Sequence, residues 1–159
     1  MEIEIVENTK QSLFAYKNDD LLFYSTIKFN WLKKNLIKIF DCNDVLILEL
    51  QSYNPPFSSA KYKILFQNIE RTKNISEITE INMFFNLDKS LRKTKGNYFS
   101  FNTNFSYYSE TVKIADVKQK FWSSLQKMHL EVNDENFDFL NYIIIHIIST
   151  RTGYNSNVD

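Results

Sequence analysis

Apolar and polar positions alternate along most of this chain, far more often at a period of two than at 3.6. In "EIEIV", Ile3 and Ile5 fall on one side and Glu2 and Glu4 on the other, the pattern of a half-buried strand. "SLFAY" and "LLFYSTIKF" continue in the same manner. "NLIKIFDCNDVLILEL" holds two β-rich runs around "DCND". Asp and Asn tolerate left-handed backbone and bond their own main chain, so a hairpin is expected there. "QSYNPPFSSA" carries both prolines and cannot be a central strand, because proline lacks the ladder donor. "KYKILFQ" resumes strand character. "ISEITEINMFF" spaces Ile75, Ile78 and Ile81 by three, which suits a helix face as well as a strand. "NYFSFN" and "FSYY" read as strands around "TN". "TVKIADVKQKFW" and "KMHLEVN" read as a further pair, with Met128, Leu130 and Val132 on one face.

The stretch "DENFDFLNYIIIHIIST" breaks this pattern. From Phe137 to Ile148, nine of twelve residues are large and apolar. Asn133 and Asp134 suit an N-cap, and Asp134, Glu135 and Asp138 place negative charge near a helix N-terminus. Arg151 falls in the last turn and Gly153 stands at the C′ position. These marks frame a helix over about 134–152. Ile has only middling helix propensity, and the caps and the length decide against a strand.

A helix without a polar stripe must be surrounded on all sides, and between Phe139 and Ile148 only Asn141 and His146 interrupt the apolar run. Lipid is a poor surround, since a span needs about 20 apolar residues. With strands everywhere before it, the simplest solution is a sheet curled around the helix, which also removes exposed strand edges. The expected fold is therefore mainly β, an antiparallel closed β-barrel around a buried hydrophobic C-terminal α-helix. It forms a single domain over 1–153, with 154–159 as a tail. The alternative is a helix-grip α+β fold, whose two short helices after the first strand do not read from "NTKQSLFAYKNDD".

Composition narrows the function classes. The chain has 159 residues, with 19 basic against 19 acidic side chains. That balance argues against a general nucleic-acid binder. One cysteine, Cys42, forms no internal disulfide and points to a reducing, cytoplasmic setting, at most peripheral to a membrane. The start "MEIEIVENTK" has neither the basic start nor the apolar core of a secretory signal. The chain has 16 Lys against 3 Arg, 18 Asn and 17 Ile, a bias that an AT-rich bacterial genome explains without any function.

Three stretches carry a resemblance to the tubby C-terminal-like superfamily of tubby domains, phospholipid scramblases and LURP-one-related proteins. "IKIFDCNDVLILEL" is similar to the family's hairpin, in which a strand ends in Asp, turns and resumes with an apolar pair. Asp44 stands where those hairpins usually have glycine. "KYKILF" resembles the strand that follows. "VKIADVKQKFWSSLQKMHLEVNDENFDFLNYIIIHI" resembles the C-terminal pattern of strand, polar turn, strand and buried helix. The likeness implies roughly a dozen antiparallel strands around a hydrophobic C-terminal helix. It also implies attachment to anionic phospholipid headgroups or to a membrane-associated partner. In tubby domains a pair of basic residues two apart on a strand helps bind phosphoinositide headgroups, and Lys61 and Lys63 resemble that spacing. Scramblase activity is not implied, because the cysteine-rich and proline-rich segments of those proteins are missing.

Candidate chemistry is sparse. The histidines His129 and His146 and the lone Cys42 make no zinc-type spacing, so neither metal nor cofactor is expected. His146 is expected to be a core histidine bonded to a strand group. No nucleophile motif is present, and Gly96 and Gly153 alone make no phosphate loop, so the chain is not expected to be an enzyme. The basic clusters remain: "WLKKN" with Lys33 and Lys34, "KYK" with Lys61 and Lys63, "RTK" with Arg71 and Lys73, and "LRKTKG" with Arg92, Lys93 and Lys95. Lys61, Lys63, Lys33 and Lys34 are the candidate ligand-binding residues of a non-catalytic module for anionic headgroups. The alternative is a soluble protein-interaction domain of inhibitor or immunity type, binding a protein partner through an exposed aromatic stretch, "NYFSFNTNFSYYSE".

Overall fold

The computed structural model describes residues 1–30, 34–55, 58–95, 104–119 and 124–154. Twelve strands precede a single helical segment: β1 (Glu2–Glu7), β2 (Leu13–Lys17), β3 (Asp20–Lys28), β4 (Lys34–Asp41), β5 (Leu46–Tyr53), β6 (Lys61–Gln67), β7 (Ile75–Ile78), β8 (Asn82–Phe85), β9 (Lys89–Lys95), β10 (Phe105–Ser109), β11 (Val112–Gln119) and β12 (Lys127–Val132). They form one antiparallel sheet in the order β6-β5-β4-β3-β2-β1-β12-β11-β10-β9-β8-β7. Sequence neighbours are spatial neighbours throughout, and β1 pairing with β12 joins the two halves, with Ile3 opposite Leu130. The sheet wraps into a nearly closed barrel around the C-terminal helix, as the alternation and the buried helix predict. The helix-grip alternative is set aside, because β2 occupies the segment where that fold has its two helices.

One junction lacks a main-chain ladder, that between the end strands β6 and β7. Side chains close it instead. The Gln67 amide donates from Nε2 to the Asn74 Oδ1 (2.8 Å) and the Ile75 carbonyl (3.3 Å), and its Oε1 accepts the Ile75 N–H (2.9 Å). At the other end of the junction the Ala60 N–H donates to the Glu80 carboxylate at 3.3 Å.

Turn chemistry follows the sequence. Asp41 Oδ1 accepts the Asn43 and Val45 N–H groups, and Asp44 takes φ +60, so aspartate fills the left-handed position that glycine would otherwise hold. The ambiguous "ISEITEINMFF" is a hairpin of β7 and β8, with Ile75 and Ile78 buried and Ile81 exposed between them. The segment "NYFSFN" lies outside the described residues. The strand that pairs with β10 is β9, "KSLRKTK", which has too little apolar alternation to read as one.

The helical segment begins as a 3-10 helix, Asp134–Phe139, with non-helical backbone at Asn136, and continues as α1, Leu140–Arg151. Asn133 makes no side-chain cap bond. The Met1 amine donates to the Val132 carbonyl at 3.0 Å and lies 3.6 Å from the Asp134 carboxylate, which ties this entry to β1. From Tyr142 to Thr150 every residue is buried. Gly153 follows at φ +73, and its N–H donates to the Gln11 carbonyl rather than back into the helix. The helix end is completed by Gln126, whose Nε2 donates to Glu7 Oε1 and to the carbonyls of Arg151 and Tyr154.

Up-and-down connectivity sorts the connections to the two ends of the barrel. β12 runs toward the end where the helix enters, with the tight turns at 18–19, 42–45, 86–88 and 110–111. The helix leaves at the opposite end, where β1, β3, β5, β7, β9 and β11 also finish. These are the entry and exit ends below.

Candidate functional site

Register across β3 to β6 gathers lysines that lie far apart in sequence. Lys34 stands opposite Tyr53, and Tyr53 opposite Lys61. The adjacent row runs Lys28, Leu36, Gln51, Lys63. Paired residues share a face, and these alternate with the buried Ile37, Leu50 and Ser52, so both rows point outward. Lys28, Lys34, Lys61 and Lys63 are all exposed. Strand spacing sets Lys34 and Lys61 about 10 Å apart at the backbone, and Lys61 and Lys63 about 7 Å apart. None of the four is ion-paired to a described residue, whereas Lys38, one row further toward the entry end, pairs with Glu49 at 3.6 Å.

Lys28, Phe29, Asn30, Lys34, Leu36 and Gln51 line an open cleft of about 430 Å³ on this face. Phe29 is 52% exposed beside Lys28. Toward the entry end the outer surface changes character: Phe14, Tyr24 and Phe40 stack with centroids 5.8 and 5.1 Å apart, and the Tyr24 hydroxyl donates to Asp44 at 2.7 Å.

Three of the four predicted ligand residues, Lys34, Lys61 and Lys63, therefore share one outer face. Lys33 lies outside the described residues. Lys28 was missed: its cluster reads as an isolated charge in "TIKF", and only the β3–β4 register reveals its place. Lysines on an end strand also deter edge pairing, which accounts for charge on β6. It does not account for Lys28 and Lys34, which lie on interior strands.

The balanced net charge conceals a separation along the barrel axis. Near the exit end lie Lys10, Lys28, Lys34, Lys61, Lys95, Lys127 and Arg151, against Glu7, Glu80 and the Glu4 carboxylate that pairs with Lys127. Near the entry end lie Asp19, Asp20, Asp41, Asp44, Glu70, Asp88, Glu110, Asp134, Glu135 and Asp138, with fewer cations among them. Arg71 there sits 3.9 Å from Asp41. The other basic clusters separate in the same way: Lys73 accompanies Arg71, and the β9 cluster divides between outside, with Arg92 over the Tyr108 ring at 6.0 Å, and inside.

The remaining candidates are structural. His146 is fully buried; its Nδ1 lies 2.7 Å from the Tyr107 hydroxyl and its Nε2 2.9 Å from the Thr79 carbonyl. Since the carbonyl can only accept, Nε2 carries the proton and Tyr107 donates to Nδ1. Burial, with the Lys93 cation adding to it, pushes the His146 pKa down to about 3. This is the core histidine the sequence suggests, bonded to strand and turn groups. Cys42 is exposed and free in the β4–β5 turn. The aromatic stretch proposed as an exposed surface is corrected where it is described: Phe105 and Tyr107 are buried and pack against the core, because they alternate inward on β10. Among the described residues no cluster of His, Cys, Asp and Glu could hold a metal ion, and no helix is long and apolar enough to cross a membrane.

No protein-family model, curated protein or solved structure matches this chain.

Proposed function

We propose that this chain is a non-catalytic binding module that attaches to anionic lipid headgroups at a membrane surface. The observation that carries the reading is the convergence of Lys28, Lys34, Lys61 and Lys63 on one outer face at the electropositive end of the barrel. Lysine contacts phosphate as a mobile point charge, without arginine's bidentate fork, which suits a fluid array of headgroups better than one rigid ligand. Each lysine near an anionic leaflet contributes about 1 kcal/mol. Phe29 and Leu36 beside the lysines supply apolar surface at the depth where headgroups meet acyl chains. The axial charge separation adds orientation, since an anionic surface attracts one end and repels the other. The tubby-like resemblance of the β4–β5 hairpin and of the C-terminal strand and helix agrees with this reading.

Sedimentation with phosphatidylcholine vesicles, with and without phosphatidylserine, tests it. The protein is expected to pellet only with the anionic vesicles. Equal pelleting with both, or with neither, rejects the proposal.

A further inference from the structure

The inner wall of the exit end carries cations that the outer face does not explain. Lys93 pairs with Tyr107 and Lys95 with Phe105 across β9 and β10. Tyr107 and Phe105 are buried, so both lysines project to the inner side of the barrel, Lys93 half-buried and Lys95 at the rim. Most inward positions of the barrel are apolar or neutral polar, and this pair of lysines two apart on one strand departs from that pattern. The central helix delivers a third cation, Arg151, to the same level. Its guanidinium lies over the Phe105 ring at 5.4 Å, and the Lys93 ammonium lies over that ring at 5.4 Å as well.

The Arg151 guanidinium has two aromatic neighbours, the Phe105 ring at 5.4 Å and the Tyr154 ring at 4.8 Å. Its Nε is buried without a hydrogen-bond partner. The guanidinium makes no ion pair with a described residue. A buried unpartnered donor on a charged group is costly, and an ordered water or an anion from outside would satisfy it. The carboxylate nearest the group, Glu80, is engaged by the Ala60 N–H at the β6–β7 junction. Burial first, and then the positive neighbours Arg151 and Lys95, opposed by Glu80, push the Lys93 pKa down to about 8. The helix C-terminus offsets part of the Arg151 charge, since its carbonyls favour a cation in the last turn, but it lies on a different element from Lys93 and Lys95.

We propose that Lys93, Lys95 and Arg151 form an oxyanion site inside the exit mouth of the barrel, taking a phosphate-type dianion. The three cations outnumber the carboxylates at this mouth, Glu80 and the Gln126-bonded Glu7, and a phosphate monoester meets that excess with more charge and more oxygens than a single carboxylate. The guanidinium edge suits bidentate contact with two oxygens, and the two lysines suit the third. The site is separate from the outer lysine face, and either can exist without the other.

The test compares thermal unfolding in inorganic phosphate and in sodium chloride at equal ionic strength. Phosphate is expected to raise the unfolding midpoint of the wild-type protein and of Lys61→Met/Lys63→Met. The midpoint of Arg151→Met or Lys93→Met should not respond, the loss of one charge-assisted contact weakening binding by about tenfold to a hundredfold. Lys95→Met, at the exposed rim, serves if the more buried variants do not fold. In chloride alone Lys93→Met should unfold at a higher temperature than wild type, because it relieves an uncompensated cation. No phosphate response in the wild type, or an equal response in wild type and all three variants, overturns the proposal. Vesicles containing phosphatidate then assign the source: weaker pelleting of Lys93→Met than of wild type identifies a lipid phosphomonoester, and equal pelleting with the phosphate response intact identifies a free one. If Lys61→Met/Lys63→Met loses anionic vesicles yet keeps the phosphate response, both sites stand; loss of the phosphate response alone rejects only this one.

Discussion

The side chain of Gln67 and the main chain of Ile75 are hydrogen-bonded to each other in both directions across the open seam of the barrel, at 2.9 and 3.3 Å. Gln67 turns one amide N–H and its carbonyl oxygen toward Ile75 in the manner of a peptide unit, its second N–H going to Asn74, and so substitutes for the strand residue that β6 lacks there. Gln67→Leu should therefore cost about 1–3 kcal/mol, the penalty for leaving the Ile75 N–H and carbonyl unpaired. Gln67→Glu keeps the acceptor but loses the donor and should fall between. Native-state hydrogen exchange at the Ile75 amide checks this: exchange should accelerate by the same free energy that denaturant unfolding reports lost. An unchanged exchange rate in Gln67→Leu means that other contacts hold the seam.

His146 makes the protein acid-sensitive. Its pKa is about 3 in the folded barrel against an ordinary 6.5, because burial disfavours the imidazolium. The unfolded chain therefore binds more protons between those values. The histidine's contribution is intact above pH 6.5 and is lost as pH falls toward 3, by roughly 4–5 kcal/mol in all. His146→Phe strands the Tyr107 hydroxyl and the Thr79 carbonyl and should lower stability at neutral pH by about 1–3 kcal/mol for each. It should also flatten the acid limb, so that the gap between the two stability curves narrows steadily as pH falls from 6.5 toward 3. Parallel curves from pH 7 to pH 4 contradict the assignment. Headgroup binding should persist in the folded variant, since His146 is buried inside the barrel and the outer lysine face is on its surface.

Gly153 occupies a position that no other residue enters cheaply. Its φ is +73, and a Cβ there would press on the outer end of the Ile27 side chain, Cδ1. Gly153→Ala thus introduces left-handed strain, while the partly buried Ile27 Cδ1 can move aside. Denaturant unfolding should show a loss of about 1–2 kcal/mol on that basis. A loss below the strain alone would mean that the connection to Gln11 yields instead.

These cases mark what was legible in the sequence. Alternation found β1, β11 and β12 because one face of each is apolar and the other polar. The unbroken apolar run found the helix, and Gly153 found its end. β9 escaped because its inward positions Lys93 and Lys95 are charged, which inverts the rule that locates strands. Its charge is also what makes it functionally interesting. The expected α-helical start at Asp134 is a 3-10 turn, because Asn133 supplies no cap bond and the Met1 amine takes part in holding that corner. Partners are the least legible feature: His146 meets Tyr107 and Thr79 across 39 and 67 residues, and no local pattern encodes such a contact. The same holds for the lysine face. Lys61 and Lys63 form a visible pair, but Lys28 joins them only through three strand registers, and the axial charge separation emerges only once alternate turns are assigned to opposite ends.

Charge position, rather than net charge, should govern membrane binding. Lys61→Gln/Lys63→Gln removes about 2 kcal/mol of attraction to an anionic leaflet, which corresponds to a fall in vesicle partitioning of about 30-fold at low salt. Lys73→Gln/Lys89→Gln removes the same charge from the entry end and should leave partitioning nearly unchanged, because in the proposed orientation that end faces away from the bilayer. Raising salt to about 1 M, where the screening length is about 3 Å, should bring wild type and both variants to a common low level. Partitioning of the three proteins can be read from co-sedimentation across a lipid titration. Equal weakening by both double substitutions would mean that attraction is set by overall charge, and the lysine face would lose its claim to the site.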